Sequence, residues 1–166
     1  NYDSAIKRFE DAISISDNDD ECFFLCGRSY YNNENYDKAI EKFKQAIKIN
    51  NTNEKFFYWC GLALYNNGNS DGAIEMFGNA INIDNTNPDY FYLRWISYYN
   101  SENSDYVSAI EDFEHAIELS DNNDEYYYWC GLAYQHNEEY DAAIEKFEKA
   151  IKLNDKDANY FYFCGL

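Results

Sequence analysis

A chain of 166 residues with 46% hydrophobic and 20% aromatic side chains has the apolar area for a packed core and does not read as disordered. Its 31 Asp and Glu against 13 Lys and Arg give a formal charge of −18, which repels phosphate backbones and anionic lipid, so neither nucleic acid nor a membrane is an expected partner. No apolar run approaches the roughly twenty residues of a membrane helix, and a single proline excludes collagen-like and proline-rich sequences.

In chain order, the spacing first predicts an amphipathic helix over 2–16, with Ala5, Ile6, Phe9 and Ala12 on one face. A helix over 21–32 carries Phe23, Cys26, Gly27 and Tyr30. The next, 36–49, places Ala39, Phe43, Ala46 and Ile47 at i, i+4, i+7 and i+8. The pattern returns over 55–66 (Phe57, Cys60, Gly61, Leu64) and 70–83 (Ala73, Ile74, Phe77, Ala80). The latter is weakened by Gly72 and Gly78, each costing ~1 kcal/mol relative to Ala.

The pair 89–100/105–119 is irregular. Arg94-Trp95 replaces Cys-Gly, and two extra residues enter at Asn100–Ser104. A Trp at the glycine position is expected to spread the helix pair and make the middle of the chain its softest or most bent part. Helices over 125–136 (Tyr127, Cys130, Gly131, Tyr134) and 140–153 (Ala143, Ile144, Phe147, Ala150) restore the pattern, and a further first helix begins at 158 with Phe161, Cys164 and Gly165. Asn53, Asn87 (before Pro88), Asn123 and Asp157 read as N-caps. Asn33, Asn67-Gly68 and Asn137 read as helix stops.

The Ala-Ile pairs at Ala5, Ala39, Ala73, Ala109 and Ala143 recur at spacings of 34, 34, 36 and 34. This pattern of a large residue, a Gly-containing pair, an aromatic, then Ala, Phe and Ala resembles the tetratricopeptide repeat. The resemblance implies an all-α, right-handed α-α superhelix of antiparallel helix pairs. It divides the chain into a half repeat (second helix) at 1–19, repeats at 20–53 and 54–87, an irregular repeat with a two-residue insertion at 88–123, a repeat at 124–157 and a half repeat (first helix) at 158–166. The Pro that often closes such repeats is absent, and Cys26, Cys60, Cys130 and Cys164 stand in place of Leu.

By that resemblance the first helices line a concave groove that binds a peptide or protein segment. One row is Phe24, Tyr58, Tyr92, Tyr128 and Tyr162, and a second is Arg28, Leu62, Ile96, Leu132 and Leu166. A third is Tyr31, Tyr65, Tyr99 and Gln135, flanked by Asn32, Asn66, Asn100 and His136. Tyr offers apolar area plus a hydroxyl at low entropic cost, and Asn offers donor and acceptor to an extended backbone. The clamp with which some family members hold acidic chaperone tails falls on Phe24, Arg28, Trp59, Asp89 and Leu93. Only Arg28 is cationic, so such tails are not expected ligands. Acidic flanks favour a basic or neutral partner.

No constellation argues for catalysis, and no metal or other cofactor is expected. Cys22 and Cys26 stand four apart, but Cys26 is a repeating core position. His115 with Glu111 and Glu118 reads as a solvated polar face. The reading is a non-catalytic interaction scaffold. The alternative is a structural or regulatory module of a larger enzyme or assembly complex. Five cysteines in an otherwise apolar-core sequence point to a reducing compartment, the cytoplasm. The chain starts at Asn1 rather than Met, so the lack of a targeting segment carries no weight. Both ends cut through a repeat, so a longer natural array is expected. Ile6, Phe9, Ile13 and Ile15 at one end, and Tyr160, Phe161, Phe163, Cys164 and Leu166 at the other, suggest head-to-tail self-association through uncapped ends.

Overall fold

The structure, a computed structural model, describes residues 2–101 and 105–164. The described residues form ten helices and no strand. They fall into two compact units, Asn1–Asn85 and Thr86–Leu166.

The first unit contains α1 (Tyr2–Ile15), α2 (Asp20–Asn32), α3 (Tyr36–Ile49), α4 (Glu54–Asn66) and α5 (Ser70–Ile83). The helices begin where short polar side chains accept free backbone N–H groups. Asp19 accepts from Cys22 N at 2.9 Å, Asn53 from Lys55 N at 3.1 Å and Asn69 from Gly72 N at 2.9 Å. The α4–α5 turn uses Gly68 at φ +80°, whereas the α2–α3 turn places Glu34 at φ 58°, a conformation that costs any residue with a Cβ. Asn50 at the end of α3 donates to Asp20 at the start of α2 (2.8 Å), closing an antiparallel pair.

Small residues meet large ones along each pair. Ala39, Phe43 and Ala46 on α3, and Ala73, Phe77 and Ala80 on α5, are wholly buried. A methyl group placed on Gly27 would lie 2.7 Å from the Phe43 ring, and one on Gly61 2.7 Å from Phe77. The glycines are therefore required by close approach rather than by a turn. On α1, Ile6 is buried, Phe9 and Ile13 are half-buried, and Ile15 is 87% exposed. The expectation of an uncovered face at this end thus fails for Ile6 and holds for Ile15.

The second unit contains α6 (Pro88–Tyr99), α7 (Tyr106–Leu119), α8 (Asp124–His136), α9 (Tyr140–Leu153) and α10 (Ala158–Cys164). Pro88 occupies the first turn behind the Asn87 cap, and Asn123 caps α8. Asp157 accepts from Asn159 N at 2.9 Å at the start of α10. Asn154 and Tyr160 both donate to Asp124 (2.9 and 2.8 Å), so one carboxylate ties α8, the end of α9 and α10 together. Gly131 repeats the close approach, since a methyl group there would lie 2.6 Å from the Phe147 ring. Most of the inserted turn, residues 102–104, lies outside the described residues.

Trp95, at the position of those glycines, is wholly buried and packs on Phe113 (ring centroids 4.7 Å apart) and Trp129 (4.9 Å). Beside it, Arg94 takes the place of the core cysteines and donates from Nε to Asp112 Oδ2 at 2.7 Å, with a second bond from Nη2 to Oδ1. Asp112 is 4% exposed. In the regular repeats the equivalent position is Lys42, Met76 or Lys146, and the two lysines lie beside Cys26 and Cys130. The irregular pair therefore carries a cation on its first helix and an anion on its second. Burial raises the Asp112 carboxyl above the ordinary range, and Arg94 opposes that shift. Arg94→Met strands a buried carboxylate, so urea unfolding is expected to show a loss of about 3–5 kcal/mol. Arg94→Met/Asp112→Leu should recover most of it.

Candidate functional site

In the first unit, the face of α2 and α4 assigned to ligand contact is built on aromatic packing. Phe24 is buried between Phe43 and Phe56 (5.9 and 5.0 Å), so it supports the surface from below and offers no contact of its own. The Arg28 guanidinium lies 4.7 Å from the Trp59 ring and 5.8 Å from Phe24, and its buried Nε has no hydrogen-bond partner. Tyr31 stands edge-on to Trp59 (5.4 Å) and Tyr36 (5.6 Å) and accepts a hydrogen bond from Asn66 Nδ2 at 2.7 Å. Tyr58 packs edge-on to Trp59 and against Phe77 (5.8 and 6.3 Å). Tyr58, Leu62 and Tyr65 are half-buried, while Asn32 and Asn66 are exposed.

In the second unit, Tyr92 contacts the rings of Tyr126 (5.9 Å), Phe113 and Trp129 and is half-buried, as is Ile96. Tyr99 is 41% exposed and stacks on Trp95 at 5.5 Å. Asn100 is exposed and donates to Ile96 O at 2.8 Å. Tyr128 is half-buried among Trp129, Phe147, Tyr160 and Phe163. Leu132, like Phe24, is buried. His136 is exposed, stacks on Tyr106 at 5.1 Å and meets the edge of Tyr99 at 5.5 Å. Tyr162 is 64% exposed on α10, and Leu166 lies outside the described residues.

Within this unit Tyr99, Tyr128 and His136 come together around a recess of about 640 Å³ over Leu132, with Gln135 on its wall. Trp129, Tyr140 and Phe163 complete it and were not among the expected contact residues. Trp129 could have been singled out, because a Trp precedes the Cys-Gly pair in only two copies, at Trp59 and Trp129. Phe24, placed in the contact row, is buried because helical spacing gives the face of a residue but not how deeply a large neighbour covers it, whereas Leu132, also buried, still lines the floor of the recess.

The thiols divide into two sets. Cys26, Cys60 and Cys130 are wholly buried, whereas Cys164, at the same repeat position, is half-buried. All five are free. Burial pushes the Cys26 thiol up to about 11 and that of Cys60 to about 12, and raises Cys130 further, with Glu114 adding to the effect. A thiol kept protonated by burial is neither nucleophile nor ligand. Among the described residues, no group of three or more His, Cys, Asp and Glu side chains could hold a metal ion, and no helix is long and apolar enough to cross a membrane. His115 packs on Phe91 (4.6 Å) and lies 3.5 Å from Glu118.

Two family models match the chain, one described as TPR repeat over residues 27–68 and one as tetratricopeptide repeat over 124–157. No curated protein matches. Among solved structures, MamA is 26% identical over 96% of this chain and 92% of its own, with a TM-score of 0.85. YrrB, described as a TPR protein with an unusual peptide-binding site, is 18% identical over 99% of this chain and 84% of its own, with a TM-score of 0.89. Residues 41 to the end of MamA from Desulfovibrio magneticus RS-1 are 18% identical over 95% and 88%, with a TM-score of 0.82. The chain belongs to the tetratricopeptide repeat superfamily, whose arrays are typically non-catalytic protein-interaction modules.

The thiol assignment is testable. At neutral pH a disulfide reagent should label Cys22 and Cys164 in the native protein and reach Cys26, Cys60 and Cys130 only on unfolding. Rapid native labelling of all five would contradict the packing.

Proposed function

We propose that this chain is a non-catalytic scaffold that binds a neutral or basic peptide or protein segment on the tyrosine-rich faces of its first helices. One observation carries the reading. Tyr31, Tyr58 and Tyr65 in the first unit, and Tyr92 and Tyr128 in the second, are each half-buried. Packing on one side fixes these rings, so a ligand meets an aromatic surface whose ordering entropy is already lost. Exposed Asn32 and Asn66 stand beside the first-unit rings and can exchange hydrogen bonds with a ligand backbone. A formal charge of −18 disfavours acidic ligands. Five free thiols suit a reducing compartment such as the cytoplasm.

Selection from a random twelve-residue peptide library tests this. The selected peptides should be neutral or basic. Their affinity should fall about tenfold or more in a Tyr58→Leu/Tyr92→Leu/Tyr128→Leu variant that retains native helicity, as expected when aromatic anchors are lost. Unchanged affinity in the folded variant would remove the tyrosine faces from the binding surface, and an acidic consensus would overturn the charge preference.

A further inference from the structure

The second unit has a strong charge bias. It contains 17 Asp and Glu against five Lys and Arg, a formal −12 of the chain's −18. Two of those five cations are already engaged, Arg94 by Asp112 and Lys146 by Glu114. Among the described residues, no Lys or Arg lines the recess over Leu132. Its walls are ring systems, and they are held in place. His136 stacks on Tyr106 with the ring planes 10° apart, Tyr99 is stacked on Trp95, and Tyr128 is set among Trp129 and Phe163. Carboxylates surround the walls. Glu138, Glu139 and Asp141 flank Tyr140, and the charge of Asp157 reaches the Tyr128 phenol, which is raised by burial first and by that charge second.

Resting on the scaffold reading, we infer that this recess takes a lysine or arginine side chain of the partner segment. The negative faces of aromatic rings attract a cation within about 6 Å of their centroids, and the attraction grows as the site is desolvated. A concave, low-dielectric wall focuses the field of the surrounding carboxylates into the recess. The phenol oxygens of Tyr99 and Tyr128 can accept from an ammonium or guanidinium, which an aliphatic side chain would desolvate without replacing. A volume of about 640 Å³ admits such a side chain with part of its backbone.

The test uses the whole chain and three capped seven-residue peptides of Gly, Ser and Ala that differ only at the centre: Arg, citrulline or norleucine. Citrulline keeps the shape of Arg and removes its charge. Binding is followed to millimolar peptide by Trp fluorescence and by NMR shifts of the recess rings. The Arg peptide should bind about tenfold or more tightly than either neutral peptide and shift Tyr99 and His136. Tyr99→Leu and Tyr140→Leu, both at exposed rings and checked for native helicity, should each weaken it about three- to tenfold. Equal binding of the citrulline or norleucine peptide, shifts confined to other surfaces, or folded Leu variants that bind Arg unchanged would overturn the inference. The library-selected peptides serve as the separate control. If they still bind the tyrosine faces while the Arg peptide shows no preference, the scaffold reading stands without a cation site; if no binder is selected and the Arg peptide does not bind, both fall.

Discussion

The contact on which the rest of the structure depends is a glycine against a phenylalanine ring. Gly27 meets Phe43, Gly61 meets Phe77 and Gly131 meets Phe147, each at a separation that leaves no room for a methyl group. The contact sets the helix–helix distance within a pair, and the alanines above and below keep the same spacing along it. Once the pair is that close, the second helix covers one side of the first, and large residues on the opposite side must find other partners. Among those residues, Tyr31 and Tyr58 pack edge-on against Trp59, and Tyr92 and Tyr128 against Trp129, and all six are half-buried.

Polar contacts then fix what apolar packing leaves free. Asn50–Asp20 and Asn154–Asp124 close individual pairs. Phenols donate to carboxylates of neighbouring helices, as Tyr30 does to Glu10, Tyr134 to Glu114 and Tyr126 to Asp89. These bonds use acidic residues that would otherwise add only to the negative field. Burial and the adjacent carboxylate push the Tyr126 phenol up to about 12, so it stays a donor at any physiological pH. The irregular pair α6–α7 solves the same packing problem differently. Trp95 stands where the other pairs have glycine and packs on Phe113 and Trp129, and Arg94–Asp112 stands where two of the regular pairs have Cys26 beside Lys42 and Cys130 beside Lys146.

The helices and their ends were legible in the sequence because period and capping are local. The α4 and α8 starts and the Asn33, Asn67 and Asn137 stops lie where the short polar residues place them. Side-chain depth was less legible, because it depends on neighbours a whole repeat away. Phe24 is covered by Phe56, 32 positions later, and Leu132 packs with Phe147 and Phe163. The Arg94–Asp112 pair gave no sequence signal beyond the loss of Cys-Gly, since Asp112 resembles any other acidic residue of an acidic helix. Glu34 and Glu138 illustrate a third limit. Both adopt the left-handed conformation for which Gly68 is the natural choice, and nothing in a Glu announces it.

A double-mutant cycle on Gly61 and Phe77 tests the central claim most directly. If ring contact is what excludes a methyl group, Gly61→Ala should lower stability by about 1–3 kcal/mol in the wild-type background. Its cost should largely vanish in a Phe77→Leu background, where the ring is gone, giving a coupling of about 1 kcal/mol or more. Additive losses from the two substitutions would contradict the account.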